Sequence, residues 1–599
     1  MNAFRRLPSP VSAILFACAF WATACGEEST KTPSADDRQP PTESEAAESP
    51  LFENVARQAG LDFVHVNGMS GELYILEVMG SGAALFDYDG DGDLDLYLVQ
   101  GHALPPLTRE HPPLSDRLFR NDLRNGEPRF VDVTEEAGIE ATGYGMGVAS
   151  GDVDGDGHRD LFVTNYGANQ LWRNRGDGTF VDITEAAGVG STSQNGTSWS
   201  TATAFLDYDR DGHLDLFVGN FLDFTVETHR RCTAETSAPD YCSPTVYSPV
   251  PDRLFRGRGD GTFEDVTEAA GLGAAFGNCL GVVTGDLNGD GWQDLYVAND
   301  STPNQMWINN GDGTFSDQAL LSGNAYNREG KAEASMGVSA ADPDGDGDLD
   351  LFMTHLNSET NTFYLNTGDG LFEDRSLEQG LAAPSLPYTS FGTLWMDYDN
   401  DSWLDLLVLN GEVKKIWSQD AAGDPLPLKQ PDQLFRNVQG TYQDVSDLAG
   451  PALTEPSVSR AGVFGDIDND GDLDVVVTLN NGPVKLLLNR ATETEEARDN
   501  RWLGLRLVDA EGSVLGAQVS VQLPPARELA GRQLVRRVRV DGSYLAAHDP
   551  RVLVGLGEIE AETVTVTVRW PDGTREVWQD LPLEAYSTLR RGGGSLAAS

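Results

Sequence analysis

Positive charge is scarce in this chain: 42 Lys and Arg stand against 94 Asp and Glu, a formal charge of −52 over 599 residues. So acidic a surface excludes nucleic acid and anionic lipid as direct partners. Histidine is scarcer still, and the eight present (His65, His102, His111, His158, His213, His229, His355, His548) form neither His-Glu-x-x-His nor any other paired metal spacing. A Gly-x-Ser-x-Gly elbow is also missing, so a catalytic reading has no nucleophile or open metal site to start from. The apolar run from Val11 to Trp21 is too short to span a bilayer. Cysteine occurs only five times, too sparsely for a disulfide framework in a chain of this length.

What the sequence has in excess is aspartate, and it is patterned. The stretch "DYDGDGDLD" begins at Asp87, and the pattern Asp-x-Asp/Asn-x-Asp-Gly/Ser-x-x-Asp starts again at Asp152, Asp207, Asp286, Asp342, Asp397 and Asp466, at intervals of 55 to 79 residues. Calcium takes six to eight oxygens, so a tight loop presenting carboxylates at alternate positions wraps it, with glycine permitting the sharp turn. Positions one, three, five and nine supply the side chains. They are Asp87, Asp89, Asp91 and Asp95; Asp152, Asp154, Asp156 and Asp160; Asp207, Asp209, Asp211 and Asp215; Asp286, Asn288, Asp290 and Asp294; Asp342, Asp344, Asp346 and Asp350; Asp397, Asp399, Asp401 and Asp405; Asp466, Asp468, Asp470 and Asp474.

An EF-hand would place Glu at position twelve. Here that position holds Leu98, Val163, Val218, Val297, Met353, Val408 and Val477, and the β-branched and aromatic flanks predict strands on both sides. Plain Asp-Gly turns are the blander reading, but 27 of the 28 ligand positions are Asp, which such turns do not need and which would repel without a cation. About seven calcium ions are therefore expected. The sixth loop carries Ser402 where the others have glycine.

Each loop is followed by a second recurring half, as in "NQLWRNRGDGTFVDITEAAGV" from Asn169, which reads as strand, Gly-Asp-Gly turn, strand. That gives four strands per unit, and seven such units predict a seven-bladed β-propeller over 51–490. The Arg-Gly-Asp triplets at Arg175 and Arg258 belong to this turn chemistry, since other copies read "NNGDGTF" and "NTGDGLF". The seventh unit lacks its last strand, while an orphan copy, "LFENVARQAGL", stands at Leu51 and is expected to close the ring. After a polar linker at 491–500, residues 501–592 alternate as strands without a calcium loop, predicting a separate small all-β domain, a β-sandwich, before a tail at 593–599.

The N-terminus reads as an export signal over 1–24, with Arg5, Arg6 and a small-residue site at Ala22-Thr23-Ala24. Cys25 follows directly, as in the lipobox of bacterial lipoproteins, although Ala22 stands where Leu is preferred. Residues 25–50 are rich in Pro, Ser and Glu and form a tether of roughly 30 Å. The expectation is an exported chain, held to the outer membrane through acylated Cys25 or else secreted. In that oxidising setting Cys232 and Cys242 are paired as a disulfide and Cys279 is left as a buried thiol.

The Asp-rich hairpins with "GDGTF" turns resemble FG-GAP/VCBS repeats, and "NRWLGLRL…VLGAQVSV…DGSYLAAHDPRVLVGLG…VTVRWPDGT" resembles the ASPIC/UnbV domain, with "SYLAAHDPRV" a loose version of its segment. Together they are similar to the cartilage-acidic-protein-like family. The resemblance implies a calcium-binding extracytoplasmic propeller used for binding or adhesion and brings no catalytic mechanism with it.

The expected function is a binding module for an extracellular or periplasmic protein or glycan. A polysaccharide lyase or hydrolase and a periplasmic assembly scaffold are the alternatives. Because all calcium hairpins join first and second strands, they share one face, and the longer loops, including 101–116 and 221–251, lie on the other. Five residues beyond each last ligand stand Gln100, Asn165, Asn220, Asn299, His355, Asn410 and, out of pattern, Leu479 beside Asn480. These amides either cap their own loops or line a partner face, for which His102, Tyr166, Asp300, His355 and Glu412 are the candidate contacts.

Overall fold

The computed structural model describes residues 50–105, 114–190, 198–234, 236–510, 512–523 and 533–596. The leader, Cys25 and most of the tether lie outside them. The described chain is all-β, with only short helical turns between strands.

Seven sheets carry the aspartate loops, each with four antiparallel strands, to which the first sheet adds a short parallel fifth. The second is representative: Tyr144–Gly151, Asp160–Tyr166, Gln170–Asn174 and Phe180–Asp182 pair in chain order. First and second strands are almost wholly buried, because both faces pack against neighbouring sheets. This is why their sequences run apolar instead of alternating. The seventh sheet contains Ser459–Gly465, Asp474–Leu479 and Lys485–Asn489 and is completed from the far end of the chain by Phe52–Asn54, with Phe52 opposite Asn489 and Asn54 opposite Leu487.

The first strands (Ala83–Phe86, Tyr144–Gly151, Ser200–Leu206, Cys279–Gly285, Val338–Ala341, Ser390–Met396, Ser459–Gly465) each lie against the next in order, and the last lies against the first. Hydroxyl groups tie them together. Thr164 Oγ1 donates to Thr201 O at 2.6 Å, Thr201 Oγ1 to Cys279 O at 2.6 Å, Thr354 Oγ1 to Phe391 O at 2.6 Å and Thr478 Oγ1 to Ser81 O at 2.7 Å.

Residues beyond 500 form a three-stranded sheet (Val552–Gly557, Arg501–Val508, Tyr586–Arg590) and a five-stranded one built on Gln518–Gln522 and Thr563–Arg569. They do not stand clear of the repeats. Leu503, Val519, Val554 and Val566 share one apolar cluster with Ala149, Phe162, Phe205 and Leu214 of the second and third units. Segment 539–549 runs between the first strands: Ala546–Ala547 pairs in parallel with Ala83 and Ala84, Val338 N donates to Ser543 O at 3.0 Å, and the Tyr544 ring stands edge-on to Phe391. Tyr544 and Leu545 join Met146, Trp199, Leu280, Met336 and Phe391 in a cluster that also takes in Tyr74, Phe224 and Tyr241 from the long loops.

Candidate metal centres

Each aspartate loop is wound by its own carboxylates. In the first, Asp87 accepts from the amides of Gly90 (2.8 Å) and Gly92 (3.1 Å), and Asp91 accepts from that of Asp93 at 2.9 Å. These bonds hold the side chains inward. One carboxylate oxygen from each of Asp87, Asp89 and Asp95 lies within 4.8 Å of the others, and the same holds for Asp152, Asp154 and Asp160; for Asp207, Asp209 and Asp215; for Asp342, Asp344 and Asp346; and for Asp397, Asp399 and Asp405.

The winding requires left-handed backbone at two positions. Position six has φ of 98° at Gly92, 89° at Gly157 and 100° at Gly347, and 80° at Ser402, the one residue there with a Cβ. Position four is also left-handed, at 79° in Gly90 and 74° in Gly155, and there Arg210, Asn400 and Asn469 accept φ of 56 to 60°. Their side chains reach the next loop. Asn400 Nδ2 donates to Gly471 O at 3.0 Å, Asn469 Nδ2 to Asp93 Oδ1 at 3.3 Å, and Arg210 to Gly291 O.

Position nine does more than offer a ligand. Asp95 is fully buried and bridges the loop to the sheet, taking Tyr88 N on Oδ2 and Asn121 N on Oδ1, both at 2.9 Å. Asp160, Asp215, Asp294, Asp405 and Asp474 repeat this bridge. In the fifth loop position two is Pro343, which has no amide to give, and Asp350 Oδ2 has no hydrogen-bond partner among the described residues.

The arrangement fits a hard cation. Asp154 Oδ1, Asp207 Oδ1, Asp286 Oδ1, Asp397 Oδ1 and Asp468 Oδ1 are buried without hydrogen-bond partners among the described residues, and Asp154, Asp207 and Asp397 belong to the converging groups above. Burial pushes Asp95 up to about 9, and Asp160, Asp215 and Asp294 up to about 8, against the pull of two backbone amides in each case; nearby loop aspartates add to the rise. A divalent ion supplies what these oxygens lack, a positive charge and a ligand-accepting centre. Arginines from the third strands orient the outer oxygens: Arg256 Nε lies 2.8 Å from Asp209 and Arg436 Nη2 lies 3.0 Å from Asp399.

A device absent from the sequence reading is the residue ending the third strand, as in "LFRN" and "LWRN". Asn174 Nδ2 donates to Tyr88 O at 2.8 Å, Asn309 to Tyr208 O at 2.7 Å, Asn366 to Leu287 O at 3.0 Å, Asn489 to Tyr398 O at 2.7 Å and Asn121 to Ile467 O at 3.2 Å. Each bond joins one sheet to the aspartate loop of the preceding one. The recurrence of Asn at one fixed place in the repeat was the available signal. In the third unit Gly257 holds that place, with Leu214 O too close for a Cβ.

Away from the loops, Cys232 and Cys242 are bonded, with Cα atoms 5.2 Å apart, and Cys279 is buried as a free thiol. Of the candidate partner contacts, His102, Asp300, His355 and Glu412 are buried, and Tyr166 is half-buried against Trp199 and Phe224. Glu412 is taken up by Thr389 Oγ1 at 2.9 Å and by Asn357, and burial lowers His355 to about 4. The amide ring serves its own loops: Asn220 bonds Pro251 O at 2.7 Å, Asn299 bonds Pro303 O at 2.9 Å and Asn410 bonds Pro431 O at 2.8 Å.

Comparison with known proteins places these features in a family. The model of the FG-GAP-like repeat matches residues 87–163, 152–218, 239–297, 286–353 and 342–408, and the model of ASPIC and UnbV matches 509–596. Cartilage acidic protein 1 of Homo sapiens is 24% identical over 510 residues, covering 82% of this chain and 69% of that protein. The Xenopus tropicalis protein of the same name is 23% identical over 508 residues, covering 82% and 70%. Among solved structures, an Agrocybe aegerita lectin recognising non-reducing terminal N-acetylglucosamine aligns with a TM-score of 0.36 at 15% identity, covering 67% of this chain and 86% of that one. The BP39L lectin of Burkholderia pseudomallei aligns with a TM-score of 0.39 at 12% identity, covering 69% and 97%. With the repeat model matching half of its length, the chain belongs to the FG-GAP-like repeat family and carries an ASPIC and UnbV segment after the repeats.

Proposed function

We propose that this chain is an exported, calcium-binding module: a seven-bladed β-propeller followed by a β-sandwich, tethered to the outer membrane through Cys25, that binds a protein or glycan partner on the face away from the ions. The blade count is supported by seven aspartate loops on seven sheets, and by first strands that neighbour one another from the first to the seventh and back. The loops hold the ions through positions one, three, five and nine.

One observation carries the choice of face. Residues beyond 500 sit on the aspartate loops, so the calcium side is occupied by the chain itself. The opposite side holds the long loops, one of them braced by Cys232–Cys242. His102, Asp300, His355 and Glu412 are buried beneath that surface, and Tyr166 is half-buried. Contact then falls to exposed loop side chains such as Trp417, 73% exposed, and Arg231.

The test is binding of the full chain to an immobilised panel of acidic and neutral polysaccharides and of extracellular matrix proteins. Trp417→Ala and Arg231→Ala should each weaken binding about tenfold while leaving calcium-dependent melting unchanged. Equal loss from changes on the calcium side would refute the chosen face. New reducing ends or unsaturated products in the polysaccharide arm would replace the binding reading with an enzymatic one.

A further inference from the structure

The C-terminal body touches the first, fourth, sixth and seventh aspartate loops. At the first, Arg506 Nη2 lies 3.4 Å from Asp87 Oδ2. At the fourth, Arg569 Nη1 lies 3.2 Å from Asp286 Oδ2, and Gln293 Nε2 donates to Leu515 O at 3.1 Å. At the sixth, Gly557 N donates to Asn400 O at 2.8 Å, and Asn500 Nδ2 at the end of the linker donates to Asp399 O at 2.8 Å. At the seventh, Arg551 Nη2 donates to Asp466 O at 2.6 Å and Trp502 lies flat against Gly471, where a Cβ would stand 1.9 Å from the ring.

Two kinds of contact are mixed here, and they respond to an ion in opposite ways. The arginine–carboxylate pairs are strongest on an ion-free, fully charged loop. The contacts to Asn400 O, Asp399 O, Asp466 O and the Gly471 surface need the loop backbone to be wound. The partly exposed charge pairs are worth little, because solvent screens them. The backbone contacts are more numerous at the sixth and seventh loops, and they include the packing of the half-buried Trp502 ring on Gly471. Repulsion among the three or four carboxylates of a loop works against the winding that their hydrogen bonds to backbone amides support, and a cation inside would remove it.

The same body delivers segment 539–549 to the centre of the ring. Tyr544 OH donates to Met79 O at 3.0 Å, and Gly82 has Leu545 O where its Cβ would be. The segment has no sheet of its own beyond Ala546–Ala547. Its placement depends on the strands flanking it, which rest on the loops.

We propose that the aspartate loops are the seat of the C-terminal body, and that loading them with calcium locks segment 539–549 into the middle of the ring. The inference rests on the calcium reading above. By linkage it runs both ways: the seated body raises the affinity of the loops it touches.

Hydrogen exchange of the full chain, in calcium and in excess chelator, tests the first direction. Amides of 540–548 should exchange about tenfold faster or more after chelation, while those of the strand Gln170–Asn174 change much less. Titration with calcium alone tests the second. Trp502→Ala should lower the affinity of at least one ion about fivefold or more, with Asp89→Ala as the reference for outright loss of one site. If ions bind in the expected number but exchange at 540–548 is unmoved, slows, or rises only in step with Gln170–Asn174, the proposal fails and the calcium reading stands. Unchanged calcium affinity in Trp502→Ala overturns the reciprocal part, and absence of any calcium binding overturns both readings.

Discussion

A side chain at position six of these loops has to be carried on left-handed backbone, and Ser402 is the only one that is. Its φ of 80° places the Cβ in a strained region, and its hydroxyl is buried without a hydrogen-bond partner among the described residues. Asp397, Asp399 and Asp405 nevertheless converge around it as in the other loops, so strain has not undone the site. Ser402→Gly should therefore stabilise the protein by about 1 kcal/mol, from relief of strain and of an unpaired buried hydroxyl less the entropy that glycine adds to the unfolded chain. It should also tighten calcium at the sixth loop. Denaturant titration and calcium titration of the variant check both effects, and a destabilised variant with unchanged affinity would mean the serine is an adaptation of that loop rather than a flaw. The sequence marked Ser402 as the odd position, but only the backbone angle tells why, since a serine at ordinary φ would have cost nothing.

At the scale of elements, the closing strand shows what was legible. Bookkeeping of repeats sufficed, because a unit short of one strand and an orphan copy of that strand can be matched by pattern alone, and Phe52–Asn54 indeed pairs with Lys485–Asn489. The aspartate loops were legible for the same reason: one residue type recurs at fixed spacing, as a loop wrapping a hard cation would require. The docking of the C-terminal body was not. Arg506, Arg551 and Arg569 follow no period, and their contacts join positions 419, 85 and 283 residues apart. The asparagine that ends the third strand does follow the period, but its meaning lies in a carbonyl of the neighbouring sheet. Removing residues 50–56 should leave the edge of Lys485–Asn489 unpaired. Such an edge invites pairing with another chain. The truncated protein should melt several degrees lower and elute partly as oligomers in size-exclusion chromatography. A monomer with unchanged melting would show that the ring does not depend on its N-terminal strand.

For the whole molecule the governing quantity is charge. Of the 94 acidic residues behind the formal −52, 27 are the ligand-position aspartates of the seven loops, which lie close enough for neighbouring loops to share hydrogen bonds such as Asn400 to Gly471 O. Seven divalent ions would reduce that charge by 14, which leaves the protein acidic but relieves the repulsion where it is densest. At free calcium about tenfold above a dissociation constant of roughly 0.1 to 1 mM, each ion adds about 1.4 kcal/mol by mass action. Chelation should therefore lower the melting temperature by well over 10 °C, if the domain behaves as a protein whose stability shifts a few degrees per kcal/mol. The ion-free protein should also become salt-dependent. Monovalent salt screens exposed like charges, with a Debye length falling from about 30 Å at 0.01 M to about 3 Å at 1 M. Raising sodium chloride through that range should recover part of the lost stability in chelator. The same salt should move the calcium-loaded protein little, because its densest charges are neutralised at contact distance rather than by the solution. Melting curves in calcium and in chelator, each at low and high salt, separate this from a generic effect. Equal salt responses in the two states would mean that the aspartates are not where the ions act.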